Sequence, residues 1–225
     1  MMKFIALPLT IYFFFNHREK FINYCLLGAM PAILLILYSL SYHGSVLALG
    51  QGQGIGGFHG NIMEGFIGLL ISPARGLFVF SPFLIFSLFY FHKSFRKKEN
   101  PINKYLVISF ILLILIYSKW GMWWGGHSFG YRLIIETLPL LIVLLGYAWN
   151  EIISKNSILR GIFFALVIYS IFFNYLGTYI YPSGFNYIPN NIDQNTERLW
   201  EIKNTELLRC INLLLGQPAY SLTGV

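Results

Sequence analysis

The feature that most constrains the fold is a long apolar run without a charged residue, residues 21–42. A helix of about 20 such residues crosses the hydrocarbon core of a membrane, which is about 30 Å thick. Inside hydrocarbon every backbone N–H and C=O group needs a partner within the protein, and a helix supplies that partner within one segment. The run therefore predicts a transmembrane helix. Pro31 predicts a kink in it, because proline has no N–H to donate.

The composition indicates a membrane protein. Hydrophobic residues make up 56% of the 225 residues and charged residues only 11%, whereas about 25% of the residues of a soluble domain are charged. The net charge of +7 is not gathered in a nucleic-acid-binding motif, so no nucleic-acid partner is expected. Cys25 and Cys210 do not have the spacing of metal ligands, and neither a metal nor a cofactor is predicted.

Six apolar runs predict an all-α integral membrane protein with about six transmembrane helices. They cover residues 4–15, 21–42, 76–91, 105–117, 133–149 and 161–181. The first run is short for a full crossing and is interpreted as a clipped or tilted helix. Residues 1–181 thus form the predicted transmembrane domain. Residues 182–225 form a predicted polar tail with one or two short amphipathic helices, one of them with Asn204 as the N-cap before Glu206.

The distribution of lysine and arginine predicts the orientation of the chain. These residues are concentrated in the loops 17–20, 93–104 and 154–160, which the positive-inside rule places in the cytoplasm. The alternate loops, 43–75 and 118–132, contain only three cations, namely Arg75, Lys119 and Arg132. Both of these loops and the C-terminal tail are therefore predicted to lie on the extracytoplasmic face.

The outer loop 43–75 has two parts. Residues 50–57 are rich in glycine and predict a connector, because glycine disfavours a helix. Residues 61–72 follow with a helical pattern, in which one face is apolar and a narrow face carries polar and small residues, including Glu64. This pattern predicts a helix that lies in the membrane interface or dips back into the protein.

Residues 118–136 combine three tryptophans, four glycines, a histidine, two cations and a carboxylate. Charged groups near hydrocarbon are costly, so this stretch is a candidate functional site. A lipid-linked phosphate would suit the cations of the outer loops, with Arg75 and Arg132 as bidentate contacts and Lys119 as a point charge. The predicted pocket around the phosphate is lined by Glu64, Trp123, Trp124, His127, Tyr131 and Glu136.

The same residues have simpler interpretations, which the sequence leaves open. Arg132 and Glu136 are four residues apart at the start of a predicted helix, where they would pair with each other. Arg75 would snorkel from the end of a span to the lipid headgroups. The tryptophans would belong to an aromatic belt or to packing between helices.

Three strings resemble a known family. ISPARGLFVFSP at residues 71–82 and WWGGHSFGYR at residues 123–132 resemble the C-terminal half of bacterial multi-spanning glycosyltransferases of the GT-C superfamily. The similarity is to the group of protein mannosyltransferases and lipid A arabinose or mannose transferases. RLWEIKNTELLR at residues 198–209 resembles the terminal segment of the same proteins. The resemblance extends from about residue 60 to about residue 210.

The resemblance implies transfer of a sugar from a polyprenyl-phosphate donor to an acceptor, on the outer face of the bacterial inner membrane. It carries Arg75 and Arg132 over as contacts of the donor phosphate, and the Trp/Gly/His string as pocket lining. The family's acidic base lies in the first outer loop of a chain about twice as long, and this sequence has no counterpart of that loop. The catalytic residues are therefore unknown, and the expected partners are the lipid-linked donor, membrane lipids and a missing N-terminal half or partner subunit.

Two other classes of function are open. A non-catalytic membrane scaffold or partner subunit would present the same outer-face groove without catalysing transfer. A transporter is the third hypothesis. Transporters typically carry ionisable groups near the middle of the membrane or an internal repeat, and the predicted spans have neither.

Overall fold

The computed structural model describes residues 3–44, 57–96, 101–180 and 183–217, and these residues form helices and connecting loops without a strand. The predicted all-α class is therefore confirmed for the described part of the chain. Most of the predicted connector 50–57 lies outside the described residues. So do Lys97 and Lys98 of the basic loop 93–104.

The chain begins with two apolar helices, α1 (Lys3–Asn16) and α2 (Arg18–His43). α2 ends at Gly44, which has a φ of 66° and donates its N–H to the Leu40 carbonyl at 3.2 Å. A left-handed glycine is a common helix end because it closes the last turn without a Cβ clash. The large apolar side chains of α2 are exposed along its length, as expected of a helix that contacts lipid.

The predicted span 76–91 is wrong as a continuous helix. After α3 (Ile62–Ile71), the chain forms α4 (Leu77–Phe80), a 3₁₀ turn (Pro82–Leu84), α5 (Ile85–Leu88) and α6 (Phe91–Arg96). The break lies at Ser81, whose φ of −134° and ψ of 63° are not helical, and the following Pro82 has no N–H to continue the helix. The Phe80 carbonyl at the break accepts a hydrogen bond from Asn174 Nδ2 at 3.3 Å. A distant segment therefore satisfies a group that the broken helix leaves open.

The centre of the fold is α7 (Ile102–Ser118), packed against α8 (Leu138–Ala148), α3 and α1. A 3₁₀ segment (Arg132–Thr137) leads into α8, and a π-helical turn (Trp149–Ile153) follows it. α9 (Ser157–Tyr179) then packs along the Pro82–Leu84 turn and α4. The buried core is made mainly by α7, α8 and residues 77–90, and its fully buried members include Leu77, Leu84, Tyr90, Val107, Leu113, Ile134, Leu141 and Leu144.

Three helical segments are long and apolar enough to cross a membrane. They are Arg18–Tyr42, Arg132–Ile153 and Ser157–Tyr179, with 25, 22 and 23 residues. The predicted spans 4–15 and 105–117 correspond to α1 and α7, which have 14 and 17 residues and are shorter than a full crossing of about 20. The chain thus has three candidate membrane spans among the described residues.

The tail is helical, as predicted. It contains two 3₁₀ turns (Ser183–Asn186 and Thr196–Trp200) and α10 (Glu206–Leu214). The predicted N-cap, Asn204, is wrong by one residue, because Thr205 has extended backbone angles and accepts a hydrogen bond from the Leu208 N–H at 3.2 Å. The Asn204 side chain instead accepts a hydrogen bond from Arg209 Nε at 2.7 Å.

Candidate functional site

The three segments that the sequence assigns to one face of the membrane pack against each other. The Gly60 N–H donates to the Lys119 carbonyl at 3.0 Å, which joins the first outer loop to the second. Ser72 Oγ donates to the Leu199 carbonyl at 2.7 Å, which joins the first outer loop to the tail. We call this assembly the loop–tail cluster, and it consists of residues 57–76, 118–136 and 183–214.

Two glycines hold α3 against the second loop. A Cβ on Gly65 would lie 2.2 Å from the Ser118 carbonyl oxygen, and one on Gly68 would lie 2.3 Å from the Trp123 ring. Real Cβ atoms do not come this close to other atoms, so the contact depends on glycine. The small face that the sequence predicts for this helix therefore faces inward, and its apolar face is exposed.

Trp123 and Trp124 are buried inside the loop–tail cluster. Trp123 Nε1 donates to Glu64 Oε1 at 3.4 Å, and Trp124 Nε1 donates to Asp193 Oδ1 at 2.9 Å. Buried indoles generally have such a partner for their N–H. In this structure both tryptophans pack between the loops and the tail. Their role in lining a pocket, and that of Glu64, stays a prediction.

Arg75 belongs to a buried group of arginines that the sequence did not reveal. Three guanidinium carbons, those of Arg75, Arg198 and Arg209, lie 5.5, 5.1 and 5.2 Å from the centre of the Phe185 ring. Glu206 contacts Arg75 Nη1, and all five side chains are buried. We call these five residues the arginine cluster. Arg75 is 1% exposed, so the interpretation that it snorkels to the headgroups is wrong.

Backbone and side-chain oxygens bind several further donors of the arginine cluster. Arg75 Nη2 donates to Asn186 Oδ1 at 3.0 Å. Arg198 Nη2 donates to the Phe185 and Ile188 carbonyls, both at 2.7 Å, and Arg209 Nη2 also donates to the Ile188 carbonyl at 2.7 Å. These hydrogen bonds hold the irregular segment before α10 in place around the arginine side chains.

Glu206 is the buried carboxylate of the arginine cluster. Burial raises the pKa of the Glu206 carboxyl, while the Arg75 guanidinium and the Gly130 N–H oppose that shift. The Gly130 N–H donates to Glu206 Oε2 at 3.1 Å. Glu206 thus holds the second outer loop, the first outer loop and the tail together. Taking charges out of water costs several kcal/mol per ion, so loss of this one carboxylate should have a large effect.

Arg132 is the exposed one of the three predicted phosphate contacts. The predicted pairing of Arg132 with Glu136 is wrong. Residues 132–137 are not α-helical, and Ile134 has a φ of −113° and a ψ of 17°, so the spacing of four residues does not bring the two side chains together. The Glu136 carboxylate instead lies close to the Tyr117 phenol. Among the described residues no carboxylate pairs with Arg132.

The residues beside Arg132 fix its backbone. The Tyr131 and Ser81 hydroxyls are 2.8 Å apart and hydrogen-bonded. Burial raises the pKa of Tyr131, and the bond to Ser81 partly opposes that shift. Lys119 follows α7 directly, and its side chain is half-buried. The three predicted phosphate contacts are therefore in different states, with Arg75 buried and paired, Lys119 half-buried and Arg132 exposed.

His127 is bonded through both nitrogens of its ring. Nε2 lies 3.0 Å from Asp193 Oδ2, and Nδ1 lies 2.9 Å from the Tyr187 hydroxyl. Asp193 and Tyr187 come from the Pro/Asn-rich stretch of the tail, and nothing in their local sequence predicts this contact. Among the described residues no three His, Cys, Asp or Glu side chains converge as a metal site.

An apolar groove of about 330 Å³ lies between the tail and α9. Its walls are hydrocarbon except for the Thr205 hydroxyl and the Tyr169 phenol. One side is formed by α4 and by residues 72–76, which we call the SPxRG string, and the other sides by α9 and the tail. The lining residues are Pro73, Val79, Tyr169, Phe173, Ile202, Thr205, Leu207, Leu208 and Ile211. The volume is at the lower end of the range for small-molecule sites.

Cys210 gives a chemical test of tail packing. Cys210 lies in α10, and its thiol is buried. Burial raises the pKa of this thiol to about 12, and the Glu206 charge adds to the shift. In a Cys25→Ser background we expect iodoacetamide at about pH 9 to leave Cys210 unmodified in the folded protein, since the thiolate is the reactive form. Mass spectrometry should show full modification after unfolding. Equal rates before and after unfolding would contradict the buried position.

The same shift predicts a pH effect on stability. The pKa of Cys210 is higher in the folded protein than the ordinary value of 9.0, so the folded state keeps a proton that the unfolded state releases. Its contribution to stability is complete below about pH 9 and is lost as the pH rises from there toward 12. Urea unfolding measures the free energy of unfolding at each pH. Between about pH 9 and 12 this free energy should fall less in the Cys210→Ala variant than in the unaltered protein.

Comparison of the chain with protein-family models, with curated proteins and with solved structures finds no match.

Proposed function

We propose that this chain is the C-terminal membrane portion of a glycosyltransferase. It would move a sugar from a polyprenyl-phosphate donor to an acceptor at the extracytoplasmic face of the bacterial inner membrane. The observation that carries the proposal is the apolar groove beside the SPxRG string. The three strings that resemble the GT-C glycosyltransferases all contribute to the loop–tail cluster, and two of them line this groove.

The groove suits a hydrocarbon chain. Its walls are almost wholly apolar, and one wall is α9, a candidate membrane span whose side chains are largely exposed. A polyprenyl chain could pass from the membrane into the groove without crossing water, so its burial is favourable at about 25 cal/mol per Å² of apolar surface.

The phosphate role is assigned to Arg132, with Lys119 as a second cation. Arg132 is exposed and its neighbours are fixed, since Tyr131 is bonded to Ser81 and Gly130 to Glu206. A cation held on a fixed backbone loses little freedom when it binds an anion. Arg75 is already paired with Glu206, so its part in the proposal is to hold the tail in place.

The test is donor binding by an Arg132→Ala variant. A hydrogen bond to a charged group contributes about 1.5–3 kcal/mol. We therefore expect affinity for a polyprenyl phosphate in detergent, measured by calorimetry, to fall about tenfold to a hundredfold. Arg160→Ala is the matched control because Arg160 is also exposed and lies in a loop predicted to be cytoplasmic. It should bind as the unaltered protein does.

Equal affinities of the two variants would contradict the phosphate assignment. The matching polyprenol, which lacks the phosphate, separates the two parts of the proposal. It should bind weakly and equally to the unaltered protein and to Arg132→Ala, because only the groove would contact it.

A non-catalytic scaffold or partner subunit is the second candidate. It is favoured by the burial of Arg75, Trp123 and Trp124, since residues engaged in internal packing are not available to a substrate. This alternative predicts a stable complex with a partner that supplies the acidic loop. Co-purification from detergent-solubilised membranes would test it, and a chain that binds donor but isolates without any partner would contradict it.

A further inference from the structure

The two hydrogen bonds of His127 determine which ring nitrogen carries the proton. A carboxylate only accepts hydrogen bonds, so Asp193 requires the proton of a neutral imidazole to be on Nε2. Nδ1 then has a lone pair and accepts a hydrogen bond. The Tyr187 hydroxyl, 2.9 Å away, must therefore donate to Nδ1. In the neutral form of His127, the direction of donation therefore runs from Tyr187 to His127 and from His127 to Asp193.

The position of the Asp193 carboxylate is fixed by hydrogen bonds to residues other than His127. The buried Trp124 donates to Oδ1 at 2.9 Å, while His127 occupies Oδ2 at 3.0 Å. The Asp193 N–H also donates to Asn191 Oδ1 at 2.9 Å, in a turn that fixes the backbone. A base that is oriented by a third, fixed group is the arrangement that activates hydroxyl groups in enzymes.

The backbone before His127 is shaped for this contact. Gly125 and Gly126 have φ angles of 76° and 70°, a region that other residues enter at a cost. Two successive left-handed residues turn the chain sharply after Trp124, and the imidazole then meets the Tyr187 ring edge to face, at 4.7 Å between centres.

Exposure increases along the series of bonds. The Asp193 side chain is 17% exposed, His127 is 28% exposed and Tyr187 is 57% exposed. The acceptor end is therefore anchored in the loop–tail cluster, and the donor end faces outward. A substrate approaching the site would meet the Tyr187 oxygen first.

We propose that Asp193, His127 and Tyr187 form a proton relay in which Tyr187 is the group that meets a substrate hydroxyl. As the substrate O–H bond breaks, its proton bonds to the Tyr187 oxygen, and the Tyr187 proton moves to His127 Nδ1. The product is an imidazolium paired with Asp193. The substrate oxygen bonds to the sugar carbon of the donor, and the C–O bond to the polyprenyl phosphate breaks. The identity of the substrate as a sugar acceptor rests on the proposed function, whereas the relay rests only on the geometry.

N-acetylimidazole tests the relay without a glycosyl donor. The Tyr187 oxygen attacks the acetyl carbon while the phenolic proton goes to His127 Nδ1, and the bond between the acetyl carbon and the reagent's nitrogen breaks. The leaving nitrogen takes a proton from water, so the reagent departs as imidazole. General-base assistance contributes about 10²–10⁴-fold to such steps, so we expect His127→Gln to slow acetylation of Tyr187 by at least about tenfold. Asp193→Asn should also slow it. His59→Gln is the matched control because His59 is an exposed histidine of the first loop. It should leave the rate unchanged.

Peptide mass spectrometry follows Tyr187 itself in each variant, so differences in detergent shielding between tyrosines do not enter. An unchanged or faster rate in His127→Gln would overturn the relay and leave a structural cross-link. Protection of Cys210 from iodoacetamide checks that the tail is still packed.

A second measurement needs no variant. In ¹⁵N-histidine spectra of the unaltered protein, the neutral form of His127 should carry its proton on Nε2, and a proton on Nδ1 would overturn the relay. The two proposals fail separately. The relay is refuted if the acetylation rate of Tyr187 is unchanged in His127→Gln. The donor assignment is refuted if Arg132→Ala binds polyprenyl phosphate with normal affinity.

Discussion

Replacing Glu206 with alanine is expected to release the tail and to lower the free energy of unfolding by about 3–5 kcal/mol, the cost of removing one partner of a buried ion pair. The substitution leaves the three guanidinium groups of the arginine cluster buried without a carboxylate. It also removes the acceptor of the Gly130 N–H. Thermal unfolding in detergent measures the loss of stability, and faster alkylation of Cys210 reports release of the tail.

Glu197→Ala is the matched control for this experiment. Glu197 is an exposed carboxylate in the same tail, and its removal should change stability by less than about 0.5 kcal/mol. Equal stability of the two variants would show that Glu206 does not hold the tail. A double variant, Arg75→Met with Glu206→Leu, should recover part of the loss because apolar side chains can replace a buried pair. Arg198 and Arg209 remain charged in it, so recovery should be incomplete.

Replacing Gly65 with alanine is expected to destabilise the protein by about 1–3 kcal/mol, as overpacking in a core does. The new Cβ would lie 2.2 Å from the Ser118 carbonyl oxygen. That oxygen belongs to the backbone and cannot rotate away, so α3 must move from α7. The hydrogen bond between Trp123 and Glu64 should lengthen as α3 moves, and tryptophan fluorescence together with thermal unfolding would follow both effects.

Gly161→Ala provides the comparison. Gly161 is exposed on α9, and no heavy atom lies within 4 Å of a Cβ built there. Alanine at such a helical position is expected to be neutral or to stabilise by up to about 1 kcal/mol. If Gly65→Ala behaved in the same way, the close approach of α3 to α7 would be refuted.

The sequence predicted several elements of the fold because their causes are local. The apolar run 21–42 corresponds to α2. Residues 61–72, with one apolar face and one narrow polar face at helical spacing, correspond to α3. The prediction failed at residues 76–91, where composition suggested one span. Pro82 marked a weakness there, but a kinked helix would have fitted the same residue. At the break, Asn174 of α9 satisfies the Phe80 carbonyl, and no local pattern contains that bond.

The candidate site was predicted in its residue types more than in its contacts. Arg75 and Arg132 were assigned the same role, yet one is buried and the other exposed. The local sequence around an arginine in an outer loop does not distinguish a buried side chain such as that of Arg75 from an exposed one such as that of Arg132. The sequence assigned no role to the tail arginines, Arg198 and Arg209, which the structure shows to be buried against Phe185.

By itself the sequence determined that the chain is helical and rich in apolar segments, and approximately where the longer helices lie. Helix formation and capping depend on residues within about four positions of each other. Only the tertiary structure decided which charges are paired, which tryptophans are buried and which hydroxyl the His127 ring meets. The contacts of Arg75 with Glu206, of Trp124 with Asp193 and of His127 with Tyr187 join distant segments. The energy of a charge or a polar group depends on what surrounds it in space.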